Sequence, residues 1–192
     1  MRHENKIKET VTEYYEAVAS ERITVRGNAK EITQSLGYGE ELQSVPQEAD
    51  LGLGCGNPNA LAKPALGETV LDLGSGRGLD CFIASKAVGP DGRVFGVDAS
   101  PAMVKKAAEI AVKKGFTNCS FLYGECEHIP LAEHFIDLVI SNCVINLSVD
   151  KPKVYAEIHR VLRNGGRAAI SDITLKKELP VAWRKNPAMV RT

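Results

Sequence analysis

The sequence has no excess of basic residues: 24 Lys and Arg stand against 24 Asp and Glu, for a formal net charge of zero over 192 residues. A chain built to bind nucleic acid or an acidic membrane surface carries a positive field that is missing here. No apolar run approaches the roughly 18 residues of a membrane-spanning helix, and Met1-Arg2-His3-Glu4 leads into no apolar secretory segment. Neither a nucleic acid nor a membrane is expected as a partner. The five cysteines, at 55, 81, 119, 126 and 143, form no short paired motif and leave an odd one out. That pattern predicts no disulfide framework and points to a reducing, cytoplasmic setting. There is no internal repeat. What is present, 44% hydrophobic and 25% charged residues, suits a globular chain with one sizeable core.

Residues 4–20, ENKIKETVTEYYEAVAS, place Ile7, Val11, Tyr14, Tyr15 and Val18 three and four apart, which predicts an amphipathic helix. Between Gly27 and Gly67 the periodicity fades and Gly and Pro accumulate, so this stretch reads as a long excursion with a functional reason or mobility. The rest alternates. Strands are expected at 69–73, 93–97, 120–123, 135–140 and 167–173, with helices between them near 79–88, 101–114 and 153–162. Ser100 is the expected cap of the second of these helices, with Pro101 in its first turn. Strands separated by helices imply an open parallel α/β sheet. The expected organisation is an N-terminal helix and covering segment at 1–66, a core at 67–174, and an irregular tail at 175–192 whose two prolines disfavour a central strand.

LDLGSGRGLD, residues 71–80, sets Gly74, Gly76 and Gly78 between a strand and a helix. Such a loop permits a sharp turn and close approach of a ligand to unpaired backbone N–H groups. Asp98 ends the next strand, where a carboxylate can accept hydrogen bonds from both hydroxyls of a ribose. A nicotinamide dinucleotide would prefer GxGxxG, yet Leu79 occupies the last glycine's place. Asp72 lies two residues before the loop, where it repels a pyrophosphate and suits a cationic amino group. These features favour S-adenosylmethionine, with a dinucleotide or a cofactor-free turn as the alternatives.

EADLGLGCGNP, residues 48–58, has alternating glycines around Cys55 but no strand-to-helix context, since Asn57-Pro58 favours a turn. By itself it reads equally well as a surface loop with an incidental thiol. In SNCVINL, chain polarity carries Asn142 and Cys143 out at the carboxyl edge of the sheet, the ligand side of open α/β folds. Cys81 and Cys119 read as packing cysteines.

Several segments together resemble the arsenite S-adenosylmethionine methyltransferases: SLGYG at 35–39, SVPQEADLGLGCGNP at 44–58, VLDLGSGRGLDC at 70–81, GVDASPAMV at 96–104, LYGECEHIP at 122–130 and SNCVINLSVDKPKVYAEIHRVLRNGGRAAISD at 141–172. The resemblance covers nearly the whole chain, and the two cysteine-bearing segments are its most specific part. It implies a Rossmann-like class I methyltransferase fold with a doubly wound, mainly parallel sheet, here a short form lacking the last two strands and the usual C-terminal part. It further implies that Asp72, Gly74 and Gly76 hold the methionine end of S-adenosylmethionine and Asp98 its ribose. Ala99 and Met103 would line the adenine, with Glu125 and the backbone of Cys126 at its edge. Asn142 would face the methionine, and Tyr14 or Tyr15 would help close the site. Cys55 and Cys143 would be the arsenic ligands and catalytic residues.

The implied chemistry is methyl transfer, in line, from S-adenosylmethionine to the lone pair of thiolate-bound trivalent arsenic. Soft arsenic takes thiolate sulfur by the preference that governs soft metals. The protein would act mainly by ligation and alignment. The Cys55 loop is expected to fold over the site and bring the two thiols together as arsenic binds. The family's late third cysteine is absent. Glutathione or another thiol would replace it, or Cys126 would, or the enzyme would favour monomethylarsonous acid, in which carbon already fills one position. The rival readings are another small-molecule methyltransferase and an inactive arsenic- or cofactor-binding fragment. A monomer or weak homodimer is expected.

Overall fold

The computed structural model describes residues 2–23, 27–174 and 176, with the backbone alone for residues 2–7. The expectation for 175–192 therefore lies, Lys176 apart, outside the described residues. The N-terminal helix α1 spans Arg2–Ala19. Its last turn buries Val18 and Ala19 against Met103, with Tyr14 and Tyr15 packed alongside.

The stretch from Gly27 to Gly67 is more ordered than its glycine and proline content suggests. Asn28 caps α2 (Ala29–Ser35) by accepting from the Lys30 N–H. Two 3-10 turns follow at Glu40–Ser44 and Gln47–Ala49. Asn57 then caps α3 (Pro58–Ala62) by accepting from the Ala60 N–H, with Pro58 in the first turn. The Asn-Pro pair expected to make a plain turn thus starts a helix. Periodicity could not reveal such short pieces, which are held by caps and by burial of Tyr38, Val45 and Ala49 against Phe82 and Ile110.

The remaining elements alternate as expected: β1 (Thr69–Leu73), α4 (Leu79–Val88), β2 (Arg93–Asp98), α5 (Pro101–Lys114), β3 (Cys119–Tyr123), β4 (Ile136–Asn142), α6 (Lys151–Val161) and β5 (Leu162–Ser171). Ser100 caps α5 by accepting from the Met103 N–H, and Gly115 ends it in the left-handed conformation. β5 starts five residues before the expected 167. Arg163 to Gly166 bulge out between the pairs Ile136–Leu162 and Leu138–Arg167, so pairing with β4 begins before this segment rather than after it.

All neighbouring strands are parallel, in the order β3-β2-β1-β4-β5. Strand alternation divides the core into two layers. Val70, Val94, Leu138 and Ile140 pack against Cys81, Ala84 and Val88 of α4. Leu71, Leu73, Val97 and Val139 face Val154, Ile158 and Val161 of α6. Both faces of the sheet are covered, which is why β1 and β4 are buried almost throughout.

Candidate active site

Strand order reverses at β1: β2 and β3 lie to one side, β4 and β5 to the other. A crevice opens at the carboxyl ends of β1 and β4, where a doubly wound sheet receives its ligand. The cleft has a volume of about 170 Å³. Asp72, Gly74, Gly76, Asp98, Ala99, Met103, Cys126, Asn142, Cys143 and Tyr15 all face it. Tyr14, Glu125 and Cys55 do not. The Tyr14 ring stacks edge-on against Tyr15, 5.3 Å away. The Glu125 carboxylate accepts from Lys8 Nζ at 2.8 Å.

Asp98 is oriented by the glycine loop itself. Gly76 N–H donates to its Oδ2 at 2.8 Å and Ser100 N–H to its Oδ1 at 2.9 Å. Burial pushes this carboxyl up, against the pull of the two N–H donors. Each oxygen keeps a second acceptor position. Asp72 is only 2% exposed, and its Oδ2 accepts from the Cys81 thiol at 3.3 Å. Burial and then the neighbouring Asp80 drive the Asp72 carboxyl well above the ordinary carboxylate range. Asp80 is raised too, chiefly by burial, although Tyr38, Asn142 and Asn59 donate to it. Neither Asp72 nor Asp80 takes an ion pair among the described residues. A cation entering between buried carboxyls would relieve the penalty that raises them, so the floor of the cleft fits a positively charged group.

The cysteines behave differently from one another. Cys81 is fully buried, and burial pushes Cys119 to about 11 and Cys126 to about 12. These thiols stay protonated. Cys55 and Cys143 are joined as a disulfide, with Cα atoms 5.6 Å apart. One expectation is corrected here. The chain does hold a disulfide, which cysteine spacing hid because the partners lie 88 residues apart. The Cys55 loop lies closed on Cys143.

The closure has identifiable causes. Asn142 Oδ1 accepts from the Cys55 N–H at 2.9 Å, while its Nδ2 donates to Gly56 O at 2.8 Å and to the Tyr38 hydroxyl at 2.9 Å. Tyr38 in turn donates to Asp80 at 2.8 Å. A Cβ on Gly54 would lie 2.7 Å from Asn142 Nδ2, and one on Gly56 2.7 Å from Ser171 Oγ. Those two glycines are needed because the backbone passes directly over the strand ends. Cys143 itself has φ +60, rare outside glycine. Its N–H donates to Ser171 O at 2.7 Å, which holds that conformation. Asn142, expected to face the cofactor, thus also clamps the cysteine loop.

Sequence reasoning missed Tyr38, Asp80 and Asp172. The donor atoms of Asp172, Cys55 and Cys143 all lie within 4.8 Å of one another. Cys126 is not in that cluster. The chain-polarity argument applied to Asn142 would have found Asp172, which follows β5 as Cys143 follows β4.

The sequence profile of the Methyltransferase domain family matches residues 65–192. An arsenite methyltransferase of Halobacterium salinarum is 52% identical over 156 residues, covering 81% of this chain and 40% of the relative. The chain belongs to the arsenite S-adenosylmethionine methyltransferase family. The human arsenite methyltransferase is 38% identical over 78% of the chain, which spans 42% of it. Among solved structures, an arsenic(III) S-adenosylmethionine methyltransferase from Chlamydomonas reinhardtii matches with a TM-score of 0.65 and 37% identity, over 86% of this chain and 55% of that one. A S-adenosylmethionine-dependent methyltransferase from Aquifex aeolicus shares 26% identity at a TM-score of 0.58, over 81% and 79%. The expected class I fold is the observed one. The chain spans less than half the length of both curated relatives. No helix among the described residues is long and apolar enough to cross a membrane.

Proposed function

We propose that this chain methylates trivalent arsenic held by Cys55 and Cys143, using S-adenosylmethionine. The observation that carries the reading is that Cys55 meets Cys143 where Cys143 lines a cleft that also holds the buried Asp72 and Asp80. When bound, S-adenosylmethionine supplies a methyl group on a cationic sulfur. Asp72 with Gly74 and Gly76 would hold its methionine end, and Asp98 its ribose. Ala99 and Met103 would line the adenine beside Cys126, with Tyr15 covering the cleft and Tyr14 supporting Tyr15.

Cys55 and Cys143 take arsenic only as thiols, so the bridge must first be opened by glutathione or a similar thiol. This fits a reducing, cytoplasmic setting. The two thiolates then orient the arsenic lone pair while Asn142 keeps the loop shut. No general base is required, because the attacking lone pair carries no proton. The proposed organisation is a covering segment at 1–66 on a cofactor-binding core at 67–174, working as a monomer or weak homodimer.

The test is a methyl-transfer assay on arsenite and monomethylarsonous acid across a glutathione series, with products identified by mass spectrometry. Cys55→Ser and Cys143→Ser should each abolish transfer, since oxygen replaces a soft thiolate poorly. Cys81→Ser and Cys119→Ser should retain it. Full activity in either ligand variant would rule the mechanism out. Tight arsenic binding without turnover under any thiol condition would favour a binding fragment instead.

A further inference from the structure

The adjacent strands β4 and β5 run in register, pairing Asn142 with Ser171. The next residue on each strand is therefore Cys143 on one and Asp172 on the other, side by side at the sheet's carboxyl edge. Gly56 passes over Ser171, which brings Cys55 to the same point. The half-buried Asp172 carboxylate is held from behind: Asn146 N–H donates to Oδ2 at 3.0 Å and Ile173 N–H to Oδ1 at 2.8 Å. Its oxygens therefore have a fixed position beside two sulfurs, with acceptor capacity left over.

We infer that Asp172 binds the third hydroxyl of arsenous acid, so that the site selects arsenic still carrying As–OH over arsenic carrying carbon. The inference rests on the reading that Cys55 and Cys143 hold arsenic. With the bridge reduced by two equivalents of thiol, which leave as their own disulfide, two S–H groups meet As(OH)3. Two S–H and two As–O bonds break, two As–S bonds form, and the protons leave with the displaced oxygens as two waters. Arsenic remains trivalent, and one As–OH remains. That hydroxyl is a donor and the carboxylate an ionic acceptor, a pairing stronger than a neutral hydrogen bond. A methyl or phenyl group in the same position donates nothing and leaves the carboxylate facing carbon.

Such a contact favours arsenite over monomethylarsonous acid, the reverse of the preference stated from the cysteines above.

The test compares binding of arsenite and phenylarsine oxide to protein reduced with a phosphine, which is then removed so that no free thiol competes for the third position. Both probes engage two thiolates, but only arsenite keeps a hydroxyl afterwards. Asp172→Ala should weaken arsenite binding about tenfold or more, the scale of a charged hydrogen bond, and leave phenylarsine oxide within about twofold. Asp172→Asn keeps the side chain's shape and an acceptor oxygen. It should fall between, and carries the comparison if the alanine variant folds poorly. Equal losses for both probes would mean that Asp172 merely shapes the loop, and unchanged arsenite binding would make it idle; either overturns the inference alone. Wild-type protein that takes up neither arsenical would overturn it together with the reading on which it rests.

Discussion

Asp98 is set by its immediate neighbours before any ligand arrives. The glycine loop places the Gly76 N–H on one oxygen and the α5 cap region places the Ser100 N–H on the other. A carboxylate fixed this way offers its remaining acceptor positions without further ordering cost, which is what recognition of a ribose requires. Asp98→Ala should therefore weaken S-adenosylmethionine binding by roughly 1.5–3 kcal/mol, the range for hydrogen bonds to a charged group. Calorimetry on folded wild type and variant checks it, and equal affinities would remove Asp98 from the ribose site. Its placement was legible from sequence because a strand end followed by Ser-Pro leaves little freedom. Asp80 was not legible, since an acidic residue in a helix's first turn ordinarily faces solvent and favours the dipole. Here Tyr38, Asn59 and Asn142 converge on it from three distant segments.

At the scale of elements, the segment 52–57 is a loop whose position depends on one side chain of β4. Removing the Asn142 amide would strand the Cys55 N–H and Gly56 O and take a donor from Asp80. An unsatisfied buried group costs about 1–3 kcal/mol, and these half-buried ones fall at the low end of that range. Asn142→Ala should lower stability by that order and, more tellingly, reduce the tendency of Cys55 and Cys143 to pair. Mass spectrometry of the bridged fraction across glutathione redox buffers reads that tendency directly. A variant as readily bridged as wild type would show that the clamp contributes nothing to closure. The short helices α2 and α3 belong to this scale as well. Their caps, Asn28 and Asn57, stand in plain view in the sequence, but helices of 7 and 5 residues show no usable periodicity.

Across the whole molecule, the buried pair Asp72 and Asp80 makes stability depend on pH. Burial raises both carboxyls in the folded state above their ordinary range, with Asp80 raising Asp72 further and Asp50 raising Asp80 further. The folded protein therefore holds protons that the unfolded chain releases near pH 4. Stability from this source is fully present below that pH and is lost as pH rises through the folded values. Without bound ligand, urea midpoints should fall as pH is raised from about 4 toward neutrality. Asp72→Asn should flatten that fall, and identical pH slopes in the two proteins would refute the account. A bound cation between the carboxyls should flatten it too, which couples the cofactor's proposed charge to the stability of the fold.

The sequence by itself determined the alternation of β1 to β5 with α4 to α6, the glycine loop after β1, and the carboxylate that ends β2. These are local matters: period-2 and period-3.6 burial, caps, and turn residues act within a few positions of where they are read. Tertiary structure alone decided that Cys55 meets Cys143 across 88 residues, that Asn142 turns toward the loop, and that Asp172 stands beside both sulfurs. Each of these depends on strand order and register, because β5 lies next to β4 and Ser171 is level with Asn142. Register is fixed by how two buried faces fit together, and no single stretch of chain contains that information.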